Sequence, residues 1–316
     1  MTLPLPSLSN DLSAALGAGA GLEALSGRDA VDRRDRFLTL LTVYDLHTAP
    51  LEQLGERARL QHHPVVAELK TRLEQPWLAE LDGAWASSGP IDPDPVAAMR
   101  AVAARDRLPE AYRWLAKQAS WSQAVDFLAL EGGPDGGFDD LVAVCQVGLA
   151  GSAKLELAKN YWDEMGQGDP VGVHTVLYED FAAAIDMPRL PREQLPVEAL
   201  ERAGLGGLLA TNRWLQPEMI GALGLLELQA GPRCRLVLQA FDRLGAPAGA
   251  YPFYFEHAED DPVHGKDWMD KAVEPLAAER PEWGSRMVKG AFWRSTINLA
   301  FFDAAVRELR TQSVAA

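Results

Sequence analysis

Residues 222–230 read Ala-Leu-Gly-Leu-Leu-Glu-Leu-Gln-Ala, a run apolar on every face with one carboxylate, Glu227, set inside it. Pro217 stands just upstream at a first helical position, where its missing N–H leaves nothing unsatisfied, so a helix is expected over 218–230. The same periodicity extends outward in both directions. Apolar residues recur at three- and four-residue spacings through 37–51, 65–81, 95–103, 115–130 and 138–151, the signature of amphipathic helices rather than strands. Downstream, 234–244 and 254–268 read as helices, and 287–309 as a long closing one carrying Phe292, Ile297, Leu299, Phe301 and Phe302. Alternation of apolar and polar residues is limited to a weak run at 235–239. The fold class that follows is all-α.

Glycine and proline punctuate these segments at 87–90, 132–137 and 166–170, which read as helix connectors. Asp169 followed by Pro170 predicts a capped helix start running through Ile185. The expected organisation is an N-terminal helical segment, 1–110, packing on a helical core, 111–316, as one continuous domain. With 316 residues, 47% of them hydrophobic, the chain is long enough to bury an active site. The formal charge is −15, and a field of that sign repels polyanions, so nucleic acid and anionic membranes are not expected partners. Two separated cysteines, Cys145 and Cys234, form neither a disulfide framework nor a CxxC motif and suit a reducing cytoplasm. Both sit in apolar surroundings where a thiol is inert. The first 25 residues lack the basic opening of a signal peptide.

Potential metal ligands are spaced along the second half. On a helix, steps of four and seven put His257, Asp261 and His264 on one narrow stripe, although Pro262 within it would end or kink a regular helix. An exposed polar stripe is the alternative, because Glu256, Glu259, Asp260 and Asp267 make the segment acidic throughout. Glu164 and His174, ten residues apart, would diverge on one helix, but the 166–170 break frees the second to be re-aimed. Glu227 needs compensation inside its apolar run, from a metal, a proton or an arginine such as Arg233 or Arg235. Glu131 ends an apolar segment at a helix C-terminus, where the helix dipole opposes it, with Asp126, Asp139 and Asp140 as competitors for the same role. Trp121, Trp162, Trp214, Tyr178 and Arg213 are candidates to line a pocket, or simply core.

Four stretches in this order, Phe127-Leu-Ala-Leu-Glu-Gly132, Asn160-Tyr-Trp-Asp-Glu-Met-Gly-Gln-Gly168 with His174, Gly224-Leu-Leu-Glu227, and His257-x3-Asp261-x2-His264, resemble the haem-oxygenase-like diiron oxidases and oxygenases, the iron-containing redox enzymes. The likeness covers roughly 115–310. It implies a haem-oxygenase-like seven-helix bundle, here with additional N-terminal helices, and no haem. Carried over position by position, the iron ligands would be Glu131, Glu164, His174, Glu227, His257, Asp261 and His264. The resemblance further implies two Fe(II), or a manganese–iron pair, dioxygen as co-substrate, an external reductant from an unidentified electron donor, and a small-molecule substrate. A homodimer is compatible. The activity expected is oxygenation or oxidation, N-oxygenation included, of a small amine or amino-acid-derived metabolite in biosynthesis. The alternatives are a desaturase or oxidative carbon–carbon lyase acting on an apolar carboxylate, and a non-catalytic helical scaffold or regulatory protein with a degenerate metal site. A long apolar channel would favour the apolar carboxylate, and a compact polar pocket the amine.

Overall fold

Several helices begin where the sequence supplies a side-chain partner for their free amides. Ser7, Asp32 and Asp94 accept backbone N–H groups at the starts of α1 (Leu8–Ala18), α2 (Arg33–Thr48) and α5 (Pro95–Arg105), satisfying donors that would otherwise be orphaned. Between these last two lie the short α3 (Leu51–Leu54) and the long α4 (Pro64–Ala86). The span 115–130, expected as one helix, is two: α6 (Glu110–Lys117) and α7 (Trp121–Glu131). Ser120 and Gln123 form a reciprocal capping box that starts α7 afresh. Then follow α8 (Phe138–Cys145), α9 (Gly151–Glu164), α10 (His174–Ala184), α11 (Val197–Thr211), α12 (Gln216–Leu244), α13 (Tyr251–Trp268), α14 (Glu274–Glu279) and α15 (Pro281–Gln312). A π-helical turn, Met269–Val273, joins α13 to α14.

This computed structural model describes residues 7–106, 108–132 and 137–312, without the side chains of 260–262 and 312. Most of the glycine-rich 132–137 connector therefore lies outside the described residues. Among those described there is no strand, only an isolated antiparallel bridge between Met165 and Val173. The fold is all-α, as its periodicity predicts. The weak alternation at 235–239 is helical, inside an α12 that runs unbroken across Pro232 and merges the two segments read separately from sequence. No described helix is long and apolar enough to cross a membrane.

The chain forms two compact units. One comprises Met1–Gly89 with Pro191–Arg213, the other Pro90–Leu190 with Trp214–Ala316. In the first, α2 packs on α1, α4 and α11, and Phe37 meets Trp77 edge to face at 4.9 Å. Trp77 Nε1 donates to the buried Glu201, which also pairs with Arg33. In the second, α12 is the central helix, in contact with α13, α15, α6 and α5. Glycines set the closest crossings. A Cβ on Gly221 would lie 1.8 Å from the Met287 carbonyl oxygen, and one on Gly290 1.9 Å from that of Glu218, so α12 and α15 touch backbone to backbone. The fully buried Glu218 is neutralised at this crossing by Arg286 and Lys289.

Candidate metal centre

The candidate ligands and the residues around them belong to the second unit. Helix α9 stops at Glu164 because the next residues turn back on themselves: Gly166 takes φ 59°, and a Cβ there would lie 2.5 Å from the Gly172 carbonyl carbon. Only glycine permits that approach. Met165 then bridges Val173, and α10 begins at His174, four residues later than Asp169-Pro170 predicts. Asp169 instead accepts the Val171 amide at 3.1 Å, closing a local turn in place of a helix cap. The outcome is that Glu164 and His174 stand side by side at the two feet of one loop, Oε2 to Nδ1 2.8 Å.

Helix α13 brings the third group. Its backbone stays helical through positions 261 and 262, so Pro262 does not end it, and positions 257 and 264 share one face. The His257 and His174 rings are 4.6 Å apart between centroids. Ligand atoms of Glu164, His174 and His257 all lie within 4.8 Å of one another. The Nδ1–H of His257 donates to the Phe253 carbonyl at 2.6 Å, which leaves Nε2 with its lone pair, the form in which imidazole binds a metal. Phe253 packs on that ring at 4.3 Å.

A second group lies on α9, α12 and α13. The buried His264 has Nδ1 3.8 Å from Glu227 Oε2 and Nε2 3.2 Å from Asp163 Oδ2. Asn160 Nδ2 donates to Glu227 Oε1 at 2.8 Å. The arginines that sequence offered as alternatives for Glu227 are directed elsewhere: Arg233 donates to Gln229 and Asp106, Arg235 to the Ala258 carbonyl. The side chain of Asp261 lies outside the described residues.

Glu131 is not part of the close triad among the described residues. It ends α7, where Tyr112 donates its hydroxyl at 3.0 Å. Burial, and next the charge of Glu131, push the Tyr254 hydroxyl well above the ordinary tyrosine range. Among the aspartates that compete with it, Asp139 has its carboxyl raised by burial, and the charges of Asp140 and Glu164 raise it further.

Both His174 and His264 open onto one cavity of about 610 Å³. Its wall carries the carboxylates Asp163, Asp169 and Glu256, with Tyr251 and Phe255 among its apolar part, and none of its described lining residues is Lys or Arg. None of Trp121, Trp162, Trp214, Tyr178 and Arg213 is among them either. Trp162 and Trp214 are exposed by more than half. The ring of Trp162 covers Gly168 of the loop, where a Cβ would lie 2.8 Å from it.

The donor set fits a first-row transition metal. Imidazole with carboxylate is the combination that iron, manganese and zinc accept, and Glu164, Glu227, His174 and His264 are each less than 9% exposed. Among the described residues no Lys or Arg pairs with Glu164, so a cation in the triad would offset the cost of burying its charge. The amide oxygen of Asn160, buried beside Glu227, has no hydrogen-bond partner, and such an atom calls for one further polar group at the site.

A family model described as iron-containing redox enzyme matches residues 126–298, more than half of the chain. The chain belongs to that family. The match of this iron-containing redox enzyme runs from α7 into α15 and spans all seven residues singled out as ligands. Its all-α fold is haem-oxygenase-like, and its function is iron-dependent redox chemistry. A search of curated proteins gave no match.

Proposed function

We propose that this chain is a non-haem diiron, dioxygen-activating oxidoreductase acting on a small amine or amino-acid-derived metabolite. Glu164, His174 and His257 would hold one iron, and Glu227 and His264, with Asp261 by resemblance, would hold the second. A manganese–iron pair suits the same donors. Bound metal supplies the electrons that reduce dioxygen, replenished by an external reductant.

One observation carries the substrate class: the cavity onto which His174 and His264 open has three carboxylates and no described Lys or Arg on its wall. Such a wall attracts an ammonium or guanidinium group and repels a carboxylate, a selectivity that acts by exclusion as much as by attraction. Asp169 and Glu256 are the groups free of a histidine contact, and we assign them to the substrate's positive charge. Tyr251, Phe255 and Leu177 line the apolar part of the cavity, where they would cover the carbon skeleton and exclude water, strengthening every electrostatic contact inside. Desaturation or carbon–carbon cleavage of an apolar carboxylate would place the substrate's charge against three like charges.

The test is dioxygen consumption by anaerobically Fe(II)-loaded protein against a panel of small amines, guanidines and fatty carboxylates. Uptake of about two irons per chain with turnover on the cations is expected. Asp169→Asn and Glu256→Gln should then raise KM for the cation with little change in kcat. Turnover on fatty carboxylates alone would overturn the substrate class, and uptake of one iron or none would overturn the diiron reading.

A further inference from the structure

The last turn and a half of α9 directs three side chains at three different partners. Asn160 Nδ2 reaches Glu227 Oε1 at 2.8 Å, Asp163 Oδ2 lies 3.2 Å from His264 Nε2, and Glu164 Oε2 lies 2.8 Å from His174 Nδ1. Only Glu164 of these three corresponds to a ligand by resemblance. Asp163 is held at its other oxygen as well, because Oδ1 accepts from Gln167 Nε2 at 3.0 Å. Its carboxylate is thus fixed from the loop side and presented to the imidazole on the other.

An imidazole has two nitrogens, and each of those of His264 has a distinct neighbour. Nδ1 faces Glu227, 3.8 Å away, and Nε2 faces Asp163. An ionised carboxylate can only accept, so contact with Asp163 requires a proton on Nε2. In the neutral ring the lone pair is then on Nδ1, directed to the side where Glu227 offers its own oxygen. That is how a carboxylate behind a metal-binding histidine fixes the tautomer and the ring plane and raises the basicity of the donor nitrogen.

We propose that Asp163 is a positioning residue that orients His264 to bind metal through Nδ1, with Gln167 holding Asp163 in place. Asn160 acts on Glu227 in the same way, from one turn earlier on the same helix. The inference rests on the metal centre proposed above, and Co(II), titrated into the full chain without dioxygen, separates the two.

Calorimetry and the visible Co(II) spectrum would compare the parent with Asp163→Ala and Asp163→Asn. The alanine variant should bind the parent's number of ions with one of them held about 10–100-fold more weakly. The asparagine variant, whose amide oxygen still accepts from Nε2–H, should recover part of that loss. Parent-like affinity in Asp163→Ala overturns the proposal while leaving the metal centre standing, and so does the complete loss of one ion in both variants, which would make Asp163 a ligand. A parent that binds no Co(II) removes the metal centre and the proposal together. Nitrogen-15 NMR of the Zn(II)-loaded parent, histidine-labelled, gives a second reading that needs no alanine variant. Metal on Nδ1 and hydrogen on Nε2 of His264 is expected, and the reverse assignment overturns the proposal.

Discussion

Gly265 follows His264 on α13 and lies against α12 where that helix carries Glu227. A Cβ built on it would sit 2.8 Å from the Glu227 carbonyl oxygen and 3.0 Å from its carbon. One turn away, Gly224 of α12 makes the reciprocal contact, its Cβ position 2.7 Å from Trp268. Carbon makes relaxed contacts at about 3.5–4.0 Å, so Gly265→Ala requires roughly 1 Å of separation between the two backbones. No side chain can rotate away to supply it, since the obstacle is the main chain of α12. Overpacking of this kind costs about 1–3 kcal/mol, while alanine returns about 0.5–1 kcal/mol of helix preference, leaving a net loss of about 0–2.5 kcal/mol. The melting temperature should fall by about 2–4 °C per kcal/mol for a unit of this size. Metal binding should suffer more, because the same displacement separates His264 from Glu227, and a weakening of Co(II) affinity by about ten-fold or more is expected. Gly83 in α4 is the control: nothing lies within 4 Å of its Cβ position, so Gly83→Ala should leave stability unchanged or raise it by up to about 1 kcal/mol. A Gly265→Ala protein that melts and binds Co(II) like the parent would refute the claim that this crossing holds the site together.

Three further outcomes are open to direct measurement. His257→Ala and His264→Ala should each abolish metal-dependent activity and keep the helical circular-dichroism signal, and full activity in both would sink the site assignment. Asp35 accepts from Ser7 Oγ and from the amides of Leu8, Ser9 and Val31. Burial pushes its carboxyl up, but these bonds outweigh burial and hold it below the usual range. Its stabilisation, about 1.5–3 kcal/mol for hydrogen bonds to a charged group, is therefore complete above pH about 4 and lost as the pH falls through the lowered value. Urea denaturation of Asp35→Asn should show that loss at pH 7 and converge on the parent in acid, and a pH-independent difference would contradict it. Burial pushes the Cys145 thiol far up, so alkylation should reach it only in denaturant, and rapid labelling of the native protein at that position would count against its burial.

What could be read from sequence was what depends on period and on residue type. The helices announce themselves by apolar spacing, and the chemistry of Glu164, His174 and His257 follows from ligand type together with resemblance. What escaped depends on the backbone in three dimensions. The pair Gly231-Pro232 looks like punctuation, yet proline inside α12 loses only one hydrogen bond in a helix packed on several sides, and packing prevails. Asp169-Pro170 resembles a helix start, but the bridge between Met165 and Val173 and the contact of Gly166 with Gly172 fix the chain locally first. Asn160 and Asp163 carried a usable signal, since positions one turn before and immediately beside a ligand at a helix end share its surroundings. Exposed Trp162 and Trp214 show why aromatic residues at helical spacing are poor guides to a pocket wall. The return of 191–213 to the first unit leaves no trace in any local pattern.

The loop from Met165 to Val173 has its ends tied by a bridge, and candidate ligands stand immediately outside that tie on either side. Loop length is consequently decoupled from ligand geometry. An insertion at the tip around Gln167–Pro170 lengthens a closed loop at a cost that grows only logarithmically, about 0.6 kcal/mol per doubling, while Glu164 and His174 remain where the bridge puts them. Yet that tip contributes Gln167 and Asp169 to the cavity wall. A lineage could therefore exchange substrates by editing the four residues at that tip and leave its metal chemistry untouched, provided a residue in the new loop still braces Asp163.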